Sequence, residues 1–289
     1  TDNQPNVSPC LFQPSCVDPQ GRNEPAEEAV TRLMGNLANP TQIWRYMFDN
    51  QLPQDEIDLA EVVFLEGNWV AFGRLQTVWG EYRHSNTINS ARGLRSAVGA
   101  LEGTILRISA SSSDGDEARI GFHNPSVVDF TIAGYSERPD LLESTLSRIT
   151  ELEHLKSLWN AVGDQAKSLR TSLRQKSVAL QQALTRLTEQ GIPAASTSSW
   201  ADMLTTLASM VSYDDNPVAR SVLLSALEAP RPEYCDDPQD IVRLTRELRR
   251  CGDEELSFHE ESLVEWLVDD QLNAGLDWEG LRAAEAAFL

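Results

Sequence analysis

Apolar residues follow three patterns along the chain, and each predicts a different element. Ala29, Val30, Leu33, Met34 and Leu37 recur at helical spacing behind a first turn with Pro25, Glu27 and Glu28, which predicts a helix over 25–38. Pro40 stops it, and Thr41 can cap a short amphipathic turn carrying Ile43, Trp44, Met47 and Phe48. The stretch 54–66 opens with acids, continues as an apolar run and fits either element. Between Asn68 and Tyr135 glycines recur and apolar positions alternate, which is the period of a strand. Residues 104–110, 118–123 and 127–135 therefore read as a small antiparallel meander, with turns at Asp114-Gly115 and Asn124-Pro125. On 104–110, Ile105, Arg107 and Ser109 share one face and Leu106 and Ile108 the other. Residues 67–83 fit a strand or a helix, and their Trp69, Phe72, Trp79 and Tyr82 read as core; 90–103 reads as a short helix.

The third pattern starts at Pro139. Apolar positions run Leu142, Leu146, Ile149, Leu152, Leu155, Leu158 or Trp159, Val162, Ala166, Leu169 and Leu173, then Leu180, Leu184 and Leu187; from Leu155 onward the steps of three and four make a heptad seam, interrupted at Lys176. This predicts a long central helix or helical hairpin, with Gly163 as a weak point. Leu155, Leu158, Val162, Ala166, Leu169, Leu173, Leu180, Leu184 and Leu187 would then form a coiled-coil interface between copies of the chain. Beyond it, short helices are predicted over 199–211, 215–229, 237–251, 260–274 and 277–288. Asp237-Pro238, Ser262 and Asp277 supply starts, and Gly191, Gly252 and Gly275 supply stops. The expected fold class is α+β and mainly α. It comprises an extended Pro-rich arm (1–23), an α+β domain with the small sheet (24–138), the central helix or hairpin (139–212) and an acidic helical domain (213–289).

Charge narrows the function. The 289 residues hold 24 Lys plus Arg against 44 Asp plus Glu, a net charge of -20. That is poor ground for the phosphate-neutralising surface of a nucleic-acid binder. The charge is uneven: 1–138 carries 18 acids and 10 bases, 139–190 carries 6 and 7, and 191–289 carries 20 and 7. The near-neutral centre is where self-association meets the least repulsion. No apolar stretch approaches the 18 or more residues of a membrane span, and the first residues lack a basic-then-apolar leader, so neither membrane nor export is expected.

Candidate chemistry is sparse. Cys10, Cys16, Cys235 and Cys251 lack the close pairing of a zinc site, and His84, His123, His154 and His259 are scattered. Nucleotide, dinucleotide and serine-hydrolase signatures are missing from the text. Asp253-Glu254-Glu255 and Glu260-Glu261 flank His259, which would suit acid–base work but reads more simply as a helix-capping acidic run. Asp114-Gly115-Asp116-Glu117 has the start of a calcium loop without its remaining ligands, and reads as a turn. No cofactor, no metal and no enzymatic activity are expected.

One local segment points further. In 172–210, Leu180, Ala183, Leu184 and Leu187 lead to Gly191-Ile192, then a Ser/Thr-rich linker, then Trp200, Met203, Leu204, Leu207 and Met210. Gly191 can take a left-handed helix cap, Ile192 can fold back on the last turn, and Pro193 prevents continuation. Ser198 or Ser199 can cap a second helix that packs back on the first as a hairpin. This text resembles a recurring module of tailed-phage virion proteins: a Leu/Ala helix, a Gly-Ile turn, a Ser/Thr linker and an aromatic-led helix. It covers some forty of the 289 residues. The resemblance implies a structural virion component of the tail, baseplate or fibre, with Gly191, Ile192, Trp200, Met203 and Leu207 as its hairpin module. Expected partners are other copies of the chain, as a trimer or ring, and other virion proteins. The alternative is an intracellular helical adaptor whose acidic helices bind a basic protein.

Overall fold

The computed structural model describes residues 40–84, 91–109, 117–161, 166–189, 197–229 and 238–274, with Val30, Thr31 and Gly35. The arm 1–23, most of the helix expected over 25–38, the helix over 277–288, Val162, Gly191 and Ile192 lie outside them. The described residues are mainly helical with one small sheet, and form two units. The first is Thr1–Arg138 with Val162–Ser168; the second is Pro139–Ala161 with Leu169–Leu289.

The first unit is organised around a helix with no polar side. Helix α1 spans Thr41–Asn50 and α2 spans Gln54–Leu65, where every residue from Asp58 to Leu65 is buried. Burial on all faces explains why 54–66 shows no clean period in sequence. The two acids in that run have partners: the Tyr82 hydroxyl donates to Glu61 Oε2 at 2.7 Å and Gln54 Nε2 donates to Asp58 Oδ1 at 2.8 Å. Gly67 and Asn68, both at positive φ, reverse the chain into β1 (Trp69–Ala71), which runs directly into α3 (Phe72–His84). Thus 67–83 is strand and helix in succession. Helix α4 (Ala91–Leu101) is followed by the hairpin strands β2 (Leu106–Ser109) and β3 (Arg119–Phe122).

The sheet is antiparallel in the order β1-β3-β2. Its third strand is 69–71 and not 127–135. The latter is instead helix α5, Pro125–Glu137. Asn124 and Pro125 are a helix start rather than a hairpin turn: Asn124 Oδ1 accepts from Ser126 N at 3.0 Å, with Pro125 in the first turn. The alternation of Val128, Phe130 and Ile132 misled because Val127, Phe130, Ile132 and Tyr135 also fit a helix packed over much of its girth. Helix α5 lies against α1, α2 and β3, so helices cover one face of the sheet.

The second unit corrects the long central helix. Four helices replace it: α6 (Pro139–Arg148), α7 (Leu152–Trp159), α8 (Ala166–Gln175) and α9 (Ser177–Glu189). The break at Lys176 coincides with the interruption of the seam, and Lys176 Nζ pairs with Glu143 Oε2 of α6 at 2.6 Å. The remaining helices are α10 (Thr197–Asp214), α11 (Pro217–Glu228), α12 (Pro238–Cys251) and α13 (Glu254–Ala274). Helix α9 packs on α6 and α11, while α10 packs on α12, α11 and α7. The pair α9 and α10 therefore shares α11 as a neighbour instead of closing on itself. Among the described residues no helix is long and apolar enough to cross a membrane.

Candidate functional site

The seam residues do not line an outer face. Leu155, Leu158, Leu169, Leu173, Leu180, Leu184 and Leu187 are at most 2% exposed in the single chain. A heptad stripe broken into four short helices turns its leucines away from solvent within the single chain. Ala166 opens α8. In the segment expected to form the hairpin module, Trp200, Met203 and Leu207 are buried as well, and Trp200 meets Trp266 of α13 edge to face at 6.4 Å.

A polar ladder fixes α10 to α7. Lys156 pairs with Asp202, Asn160 Nδ2 donates to Thr206 Oγ1 at 3.0 Å, and Trp159 Nε1 donates to Ser209 Oγ at 3.0 Å. Residues 156 and 160 on one helix and 202 and 206 on the other share the four-residue step that keeps side chains on one face. Beyond the ladder Arg174 stacks on Tyr213 at 4.2 Å and donates to its carbonyl oxygen. These groups are engaged in packing.

Three of the acids suggested as a catalytic group with His259, namely Asp253, Glu255 and Glu260, also have structural partners. Asp253 Oδ1 caps α13, accepting from Glu255 N at 3.0 Å and Leu256 N at 3.2 Å. Arg220 of α11 grips both Asp253 oxygens, at 2.7 and 3.1 Å, and reaches Glu255 at 2.8 Å. These hydrogen bonds hold the Asp253 carboxyl below the usual carboxylate range and raise the Arg220 guanidinium further. Glu260 accepts from Arg249 at 2.6 and 2.9 Å. Cys251 is half-buried beside Glu247 and Asp253, and burial pushes its thiol up to about 11, the reverse of a reactive cysteine.

Two exposed faces are left with unpaired chemistry, one in each unit. On the open side of the sheet, Trp69, Gly121 and Arg107 stand in one row across β1, β3 and β2. Arg107 stacks on Trp69 at 4.8 Å, and Arg119 stands on the same side, one diagonal away. Neither arginine has a carboxylate partner among the described residues, and Ile108, 40% exposed at the β2 edge, points to the opposite face with Ile120 and Val70. On α13, Glu254, Phe258, Glu261 and Glu265 follow at steps of four, three and four, forming one exposed stripe. Phe258 is 68% exposed within it, and Glu254, Glu261 and Glu265 have no basic partner among the described residues. The sequence reading missed this stripe because it started the helix at 260; the cap that moves the start to Glu254 is Asp253, a signal available in the text.

Comparison of the chain with protein-family models, with curated proteins and with solved structures finds no match.

Proposed function

We propose that this chain is a non-catalytic structural component of a tailed-phage virion, in the tail, baseplate or a fibre-associated connector, and that it works as an oligomer. The observation that supports this reading is the position of the phage-like module. Its leucines on α9 and its Trp200, Met203 and Leu207 on α10 sit at the packed centre of the second unit. The module is thus the hub on which α6, α7, α11 and α12 are assembled, as a recurring structural cassette would be. Because the leucine seam is buried within one chain, contacts between copies fall to outer faces. Virion localisation is tested by probing purified particles with an antibody to this chain. A band that persists through gradient purification supports the reading; its loss from infectious particles overturns it.

A second reading, an adaptor that binds a basic protein, draws on the stripe Glu254, Phe258, Glu261 and Glu265 of α13. It predicts a monomer that captures a Lys/Arg-rich partner, whereas the virion reading predicts self-association.

A further inference from the structure

The open sheet face of the first unit and the outer stripe of α13 complement each other in charge, and they cannot both be satisfied by a symmetric contact of like with like. Arg107 and Arg119 lack carboxylate partners on the sheet, while Glu254, Glu261 and Glu265 lack basic partners on α13, all among the described residues. Like charges four residues apart, as at Glu261 and Glu265, destabilise a helix unless something neutralises them. The α13 stripe also shows an apolar group to solvent, with Phe258 68% exposed, and the sheet face presents the part-exposed ring of Trp69. Resting on the virion reading above, we propose that the sheet face of one copy receives the α13 stripe of a second copy, and that this head-to-tail contact builds the oligomer.

The spacing suits the contact. Carboxylates at i and i+4 on a helix stand about 5–6 Å apart at Cβ. Diagonal neighbours such as Arg107 and Arg119 stand about 7–8 Å apart on a sheet, a difference their long side chains absorb. Glu261 and Glu265 meet the two guanidinium groups, and Phe258, one turn earlier, covers the exposed side of the Arg107–Trp69 stack. The contact desolvates charges only as pairs, which is the condition for a buried ion pair to hold. It is heterologous, since each copy offers a different face to each neighbour, so it closes into a ring or continues as a filament.

The test uses the full chain and two charge-reversal variants, Arg107→Glu/Arg119→Glu and Glu261→Arg/Glu265→Arg. All four positions are exposed, so circular dichroism is expected to show unchanged helix content. By light scattering the wild type should exceed the 32.1 kDa of one chain, and each variant alone should be a monomer. Mixed in equal amounts, the variants pair native face with native face and reversed face with reversed face, so copies of the two should alternate and the mass should rise again toward that of the wild type. A monomeric wild type, a variant that keeps the wild-type mass, dissociation by only one variant, or a mixture that stays monomeric would each overturn the contact. The particle assay reads location regardless of mass. A monomeric chain found in particles would therefore sink this contact and the oligomeric part of the reading while leaving the virion location standing, and a pairing chain missing from particles would sink the virion location alone.

Discussion

The ring of Trp69 lies over the Cα of Gly121. The two residues are register partners on β1 and β3, and a Cβ at 121 would overlap the indole ring and come within 2.8 Å of Asn68 O. Only glycine leaves room for the ring to lie flat across the central strand, where Arg107 stacks on it from β2. We expect Gly121→Ala to destabilise the first unit by about 1–3 kcal/mol, the usual cost of overpacking. Trp69→Leu in the same chain should recover part of the loss. Urea titrations followed by circular dichroism decide it: equal losses with and without Trp69 would refute the overlap.

Leu169 and Leu173 are fully buried within the second unit. Each Leu→Ala change should cost about 2–5 kcal/mol. Leu169→Asp/Leu173→Asp, which a coiled-coil interface would turn into a folded monomer, is expected to lose far-UV helix signal instead. A helical, cooperatively melting monomer from that double variant would restore the seam as an interface between copies.

The Arg220–Asp253 pair carries a pH dependence. The native Asp253 carboxyl titrates below its ordinary value of about 3.9. The unfolded chain therefore binds the proton first on acidification. The pair's contribution is whole above that ordinary value and is lost as pH falls through the lowered native one. Asp253→Asn keeps the cap but not the charge and should flatten this acid limb, whereas Asp253→Ala should also cost about 1 kcal/mol for the lost cap. An unchanged acid-unfolding curve for Asp253→Asn would remove the pair from the account.

With its thiol pushed up to about 11, Cys251 should react slowly with Ellman's reagent at pH 8 in the folded chain. A variant with Cys10, Cys16 and Cys235 changed to Ser isolates it. Labelling should accelerate on adding denaturant, and rapid labelling of the native chain would show the site to be open.

Asn124 joins two helices through Ser126. Its carboxamide oxygen accepts from Ser126 N at 3.0 Å and Ser126 Oγ at 2.9 Å, and that Oγ accepts from Trp44 Nε1 at 2.9 Å. Asn124→Ala should cost about 1 kcal/mol, and Asn124→Ser, which can still cap, should recover most of it. Equal melting of the two variants would contradict the capping role.

The sequence alone determined the elements whose signals are local. The strands at 106–109 and 119–122, the helix at 91–101, the Pro238 start and Gly252 stop of α12, and the mainly helical class all follow from period, cap chemistry and positive-φ glycine. Tertiary structure decided the rest, for two physical reasons. Where burial surrounds an element the periodic signal fades or misleads, so α2 had no clear type and α5 passed for a strand. A stripe of leucines reports only that one face is apolar, not whether its partner is another segment or another molecule. Three breaks between Arg148 and Ser177 let the 142–187 stripe fold upon its own chain, which buries leucines that a straight helix would have presented outward. The outer faces that remain, with Arg107 beside Trp69 and Glu261 beside Phe258, exist only because strands far apart in sequence were brought into one row and a cap at Asp253 set where α13 begins.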